Sequence, residues 1–312
     1  GESFAVDGVI NVPLAPEVAA LRVTASYEDR AGFIDLPSSS DGNIEDSNTN
    51  ELTSVRGTLR VTPTDRLTID LTAWFQDTRS RGLNFVSANS NSLFVDDSRY
   101  IPLALADRQD QQYAAVITYE FGAVDLISST SVFDITSAAQ FAPFVPIEFD
   151  SDVGAFTHET RLVSVGAGPL VWNAGVFYQN SKEDTVFVTP FSTTETERDR
   201  EQISVFGELG YNLTEDFAAT VGLRVFEEDF SQVRRMFQGE SDESEIAPKF
   251  VLNYTGLDGV NIYASASRGF RVGGVNNVPA GAGLQETFGS DTLRSNEGGI
   301  KIKIADRAVS GS

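Results

Sequence analysis

The sequence predicts an all-β fold, an antiparallel β-barrel wall that crosses a membrane with strands, and three observations carry that prediction. Apolar residues recur with a period of two, short turns and long polar loops follow one another in strict order, and aromatic residues flank the strands at both ends. A period of two marks a strand with one apolar face, because successive side chains leave the pleat on opposite sides. No window approaches the roughly 18 consecutive apolar residues of a membrane-crossing helix, so any crossing is made by strands.

Taken in chain order, the first hairpin is FAVDGVINVPLAPEVAALRVTASYEDR (4–30), turning at LAPE (14–17) and followed by a polar loop at 31–50. TPTD (62–65) opens the strand RLTIDLTAWFQ (66–76), in which Leu67, Ile69, Leu71, Ala73 and Phe75 oppose Thr68, Asp70, Thr72 and Gln76. A loop at 79–108, the turn FGAVD (121–125) and a loop at 137–153 follow. The strand FTHETRLVS (156–164) leads into GAGP (166–169), and a further loop is expected at 184–198. At 203–211, Ile203, Val205, Leu209 and Tyr211 alternate with Ser204, Glu208 and Gly210. After LTED (213–216), Phe217, Ala219, Val221, Leu223 and Val225 oppose Thr220, Gly222 and Arg224. A loop at 231–244, the turn GLDG (256–259), a loop at 269–293, the strand NEGGIKIKIA (296–305) and the turn ADRA (305–308) complete the series. Each tight turn carries Pro, Gly or Asp where turn dihedrals need them.

About thirteen such strands of roughly 9–13 residues suit a tilted membrane crossing, whereas globular strands are usually nearer 5–6. Short turns at one end and long loops at the other are the layout of an outer-membrane barrel, with the turns periplasmic and the loops outside. Amphipathic rings favour the water–lipid boundary. Tyr119, Phe121, Trp172, Tyr211, Phe217 and Tyr254 lie beside the tight turns, and Tyr27, Phe75, Tyr178 and Phe230 lie near the long-loop ends.

Composition removes several chemistries. With no cysteine and one histidine, thiol nucleophiles, disulfides, cysteine-based zinc sites and iron–sulfur clusters cannot be built. A net charge of −22 disfavours nucleic acid and anionic membrane surfaces as partners, since both attract basic patches. Acids crowd into 35–51 and 239–245, so those segments read as solvated loops. His158 and Glu159 lack the second histidine of a metalloprotease pair, and a strand-surface role fits them better. Asp46, Asn48 and Asn50 have the spacing that opens a calcium loop, but Glu51 and Gly57 occupy the positions of its required Gly and Glu. GAGPL (166–170) is a turn, and the glycosylation triplets at 212–214 and 253–255 fall beside a turn and within a strand. No base stands near a candidate serine nucleophile, so no enzyme, catalytic residue, cofactor or metal ligand is expected.

Several segments resemble the β-barrel portion of TonB-dependent receptors. SVFGELGYNLTEDFAATVGLRVFEED (204–229) is similar to the family's paired strands ending in Gly-Leu-Arg and acids. APKFVLNYTGLDGVNIYASASRGFRVGGVNN (247–277) resembles its late hairpin, with Tyr-Ala-Ser leading to Arg-Gly-Phe-Arg. TLRSNEGGIKIKI (292–304) supplies a Glu-x-Gly-x-Lys pattern at Glu297, Gly299 and Lys301. The resemblance implies a 22-strand barrel, of which residues 1–312 form a part, without the plug domain, the energy-coupling box or the closing carboxy-terminal strands. The truncation reads as an artefact of incomplete sequence.

For the intact protein the resemblance implies a receptor in the Gram-negative outer membrane, surrounded by lipid and lipopolysaccharide and energised by the TonB–ExbB–ExbD complex through the plug. Its ligand would be a ferric siderophore, with cobalamin, haem or oligosaccharide as other possibilities. Loop residues expected to hold it are Phe85, Phe94, Tyr100, Phe141, Phe144, Arg268, Phe270, Arg271, Asn276 and Asn277, for which packing of the loops is the plainer role. Two rival readings are a passive porin and a soluble β-rich binding or adhesion module.

Overall fold

The computed structural model describes residues 2–35, 44–82, 103–142, 147–166, 168–234, 237–276, 278, 283–304 and 307–311. Among these residues, fourteen strands form one antiparallel sheet in chain order, where the sequence predicts about thirteen. They are β1 (Phe4–Ala15), β2 (Ala19–Arg30), β3 (Asn50–Thr64), β4 (Leu67–Arg81), β5 (Leu103–Glu120), β6 (Val124–Ala142) and β7 (Ile147–Ser164). The second half comprises β8 (Leu170–Thr189), β9 (Ser192–Asn212), β10 (Phe217–Arg234), β11 (Phe237–Leu257), β12 (Val260–Arg271), β15 (Asp291–Ile304) and β16 (Arg307–Gly311). Between β12 and β15, β13 (Gly274–Val275) and β14 (Thr287–Phe288) pair as a separate two-stranded sheet. β1 pairs with β2 alone and β16 with β15 alone, so the fourteen strands make an open wall.

Register divides the side chains into two sets. Leu59 faces Leu71, Leu71 faces Ala115, Val176 faces Val205, Val205 faces Val225 and Ile262 faces Ile300, so the apolar positions of adjacent strands share one surface. Its larger members remain solvent-accessible in the isolated chain, as with Leu71 at 44%, Val205 at 56% and Val221 at 54%. A water-soluble domain would cover such a surface, and a bilayer does so here. The opposite surface carries charge. Arg60 binds Asp70 across β3 and β4 (2.7 Å), and Lys249 reaches Glu208 (2.9 Å) past Gly222 on the intervening strand.

Aromatic rings bound the apolar surface at both heights. Near the tight turns lie Tyr119 and Phe121, in contact at 4.6 Å between centroids, with Trp172, Tyr211 and Tyr254. Toward the other end Phe75 meets Tyr113 edge-on at 5.7 Å and Phe156 meets Tyr178 at 6.2 Å. Phe230 departs from the sequence expectation. The register places it on the charged surface, where the Arg200 guanidinium lies 5.1 Å from its ring centroid.

The expected loops at 184–198 and 231–244 are strand for most of their length. β8 and β9 have 20 and 21 residues and meet at Pro190 and Phe191, while β10 and β11, of 18 and 21 residues, pair up to Arg234 and Phe237. At about 3.3 Å per residue these strands are roughly 60–70 Å long. Even tilted, they exceed an apolar band about 25 Å tall and project well beyond it. Above the bilayer water wets both faces, so apolar alternation disappears while the backbone ladder continues. That is why polarity alone reads as loop.

Residues 31–35 and 44–50, which the sequence reads as part of a solvated loop, are held together by hydrogen bonds. Asn48 Oδ1 accepts from the Phe33 and Ile34 N–H groups (2.7 and 2.8 Å), and the Ser47 N–H and hydroxyl both donate to the Ile34 carbonyl (2.7 and 2.8 Å). Ile34 is 2% exposed. Gly82 closes on this knot with φ of 73°, and a Cβ there would stand 2.5 Å from the Ser47 carbonyl oxygen, so the site requires glycine on two counts.

Candidate functional site: the inner wall and its mouth

The charged surface is the inside of the wall, because the β12–β15 connection folds onto it. β13 packs against β10 and β11, with Val275 so close to Gly239 that a Cβ there would lie 2.6 Å from Val275 Cγ1. Beneath it Phe226, 3% exposed, contacts Phe270 at 4.8 Å between centroids. Glu245 accepts from Arg268 Nη2 (2.7 Å) and from the Ser290 hydroxyl. The insert is therefore held by the packing of Val275 on Gly239, by the Phe226–Phe270 contact and by the Glu245 carboxylate.

Next to the insert the extended strands display alternating aromatic and ionic groups. On β9, Arg198 donates to Gln232 (3.0 Å) and pairs with Glu183 (2.9 Å). Arg200 stacks over Phe230 and lies 3.6 Å from Glu228 Oε1, whose side chain is 2% exposed. That oxygen is buried without a hydrogen-bond partner, and Glu228 stands directly opposite Glu243 on β11. The outward face of β10 is apolar through Val225 and acidic from Glu227, so Glu228 lies above the membrane-spanning part. Burial pushes its carboxyl above the ordinary range, and the neighbouring Glu243 adds to this against the opposing pull of Arg200.

Higher on the same face, Phe149 of β7 is paired with Phe187 of β8, and Phe141 of β6 lies one register step from Phe149. This aromatic strip stands at the mouth with the arginine–carboxylate groups beside it. Aromatic faces that bury ligand surface, with a few oriented polar groups, are what a recognition site for a sizeable polar ligand needs. No group of three or more His, Asp or Glu able to hold a metal occurs among the described residues.

The residues expected from the sequence separate into three groups. Phe141 joins the mouth strip. Arg268, Phe270, Arg271 and Asn276 are used by the β12–β15 connection itself: Arg271 pairs with Asp291, and Asn276 donates to the Gln285 carbonyl (3.1 Å). Phe85, Phe94, Tyr100, Phe144 and Asn277 lie outside the described residues. Phe149, Phe187, Arg198, Arg200, Glu228 and Gln232 are not among the sequence candidates. Phe149, Phe187, Arg198 and Gln232 fall in segments whose polarity reads as loop, and Arg200 and Glu228 stand beside them as charges among many, so no apolar period marked them.

An open antiparallel wall with an apolar outer surface, two aromatic girdles and a charged inner surface defines a segment of an outer-membrane β-barrel. The chain belongs to the family described as TonB dependent receptor-like, beta-barrel, which it matches over residues 15–306. No curated protein sequence matches it. Among solved structures it is similar to the ferric yersiniabactin uptake receptor FyuA from Yersinia pestis, with a TM-score of 0.85 and 17% identity over 99% of this chain and 51% of that one. It is also similar to the alcaligin outer-membrane receptor FauA from Bordetella pertussis, with a TM-score of 0.71 and 16% identity over 99% of this chain and 48% of that one. The siderophore receptor PiuA from Acinetobacter baumannii matches with a TM-score of 0.77 and 11% identity over 97% of this chain and 53% of that one. The chain spans about half the length of these receptors. Barrels of this family reside in the Gram-negative outer membrane, and so does this wall.

Proposed function

We propose that residues 1–312 are part of the barrel of a nutrient receptor that captures a ferric siderophore at its mouth and imports it with energy from the TonB–ExbB–ExbD complex. In this reading a plug domain and further strands belong to the same receptor, the plug carries the coupling to TonB, lipid and lipopolysaccharide surround the wall, and no covalent chemistry is performed. The observation that carries it is the inner-wall mouth, where Phe141, Phe149 and Phe187 stand beside Arg198, Arg200 and Glu228. The solved receptors for ferric yersiniabactin and alcaligin share the fold, which supports the choice of ligand class.

The test is growth of an iron-starved host, lacking its own receptors, that expresses the intact protein and is fed a panel of ferric siderophores. Uptake of one chelate that disappears on deletion of TonB is the expected result. Uptake independent of TonB would sink the energised reading and favour a passive porin.

A further inference from the structure

The outward face of the wall carries a polar device that neither transport nor barrel closure uses. We infer that a groove on this face, just inside the outer aromatic girdle, is a seat for an acyl chain of lipopolysaccharide that bears a hydroxyl or amide near its head end. This inference rests on the outer-membrane reading of the chain.

The groove has a volume of about 530 Å³ and runs over Leu59, Leu71, Ala73, Ala115 and Thr130, with Tyr113 at its side. Gly57 and the two alanines provide the depression by leaving out bulk between larger neighbours. Across β4 and β5, Phe75 and Tyr113 form the girdle pair immediately above it, so the groove opens into the outer leaflet.

At Thr130 the groove meets the chain's only histidine. Thr130 Oγ1 lies 2.8 Å from His158 Nδ1, Thr160 Oγ1 lies 3.0 Å from His158 Nε2, and the Thr160 hydroxyl donates to Ser128 Oγ (3.2 Å). One proton arrangement satisfies all three contacts: Thr130 donates to Nδ1, the Nε2–H donates to Thr160, and Thr160 passes its own proton to Ser128. Register sets His158 between Thr130 on β6 and Tyr178 on β8, on the outward face.

Four polar side chains on a lipid-facing surface are costly there even when they bond one another, because hydrocarbon offers no water. Any interior barrel position would hold them more cheaply. Their place at the head of an apolar groove, at the depth where a lipid's acyl linkages lie, gives them a partner. Of the outward residues just above, Gln111 is neutral, Arg79 is paired with Asp77 (3.2 Å), and Lys182, in one row with Asp134 and Gly154, lies 3.9 Å from Asp184, so both bases already face carboxylates and recognition falls on the acyl region rather than on phosphate.

The experiment is native mass spectrometry of the intact receptor purified from outer membranes and then re-exposed to purified lipopolysaccharide in detergent. Wild type should retain one lipopolysaccharide. Ala73→Phe, which fills the groove, and Thr130→Val, which removes the bonding group at nearly constant volume, should each lower retention about five-fold or more, the effect of losing one net hydrogen bond or its packing equivalent. Ala219→Phe, on the outward face of β10 away from the groove, serves as the control and should retain it fully. Equal retention by all four proteins, or retention of phospholipid in place of lipopolysaccharide, would overturn the seat. Insertion and ligand uptake measured on the same variants report separately on the outer-membrane and transport readings.

Discussion

The inner wall places an uncomfortable group at Glu228, a nearly buried carboxylate facing Glu243, whose Oε1 has Arg200 at 3.6 Å but no hydrogen bond. A carboxyl whose pKa is raised on folding binds its proton more readily in the folded state than in the unfolded one. Stability at this site is therefore greatest at low pH and falls as pH rises from the ordinary carboxylate value through the raised one. Glu228→Gln should abolish that slope, so amide protection factors in β13 and β14, taken relative to intrinsic exchange at each pH, should then stay constant as pH rises above the ordinary carboxylate range. A slope that survives the substitution would show that Glu228 is not its origin. The sequence shows Glu228 as one acid among many. Only the register reveals that it faces inward and opposite a second carboxylate, and the same holds for Asn48, whose bonds to the Phe33 and Ile34 amides depend on contacts 14 and 15 residues distant.

Among the elements, β8, β9 and β11 are the longest at 20, 21 and 21 residues, and the β8–β9 hairpin ends in a compact turn. Thr189 Oγ1 accepts from the Phe191 and Ser192 N–H groups (3.3 and 3.1 Å), and Phe191 itself is 91% exposed. Excision of the paired segments 184–189 and 192–197, with the turn rejoined, should leave barrel assembly intact, because these residues lie above the apolar band. Heat-modifiable migration of the receptor on a gel should be unchanged, while siderophore affinity should fall about ten-fold or more with the loss of Phe187 and its neighbours from the mouth. Elements within the bilayer were legible from the sequence: 67–76 and 217–226 are strands with the faces that alternation predicts. Their extensions were not, since a strand wetted on both sides has no apolar period to display.

At the scale of the whole molecule, the fourteen strands leave β1 and β16 each with one unpaired edge. Hydrocarbon does not tolerate free backbone N–H and C=O groups. Residues 1–312 expressed alone should therefore aggregate without detergent and fail to give a heat-resistant monomer in outer-membrane vesicles, whereas the intact receptor should insert. A heat-resistant monomer from the segment alone would show that it closes by some other pairing. The sequence conveyed the antiparallel order, the turn positions and the lipid face of this wall; it did not convey the inward insert, since β13 and β14 are two residues each and owe their place to Phe226, Gly239 and Glu245. The projecting hairpin also bears on immunity. A two-stranded ribbon fixed by its own ladder presents one shape to the outside, so an antibody that grips the Pro190–Phe191 crest has little chain entropy to quench. Among the described residues the crest is thus an exposed epitope of fixed backbone shape.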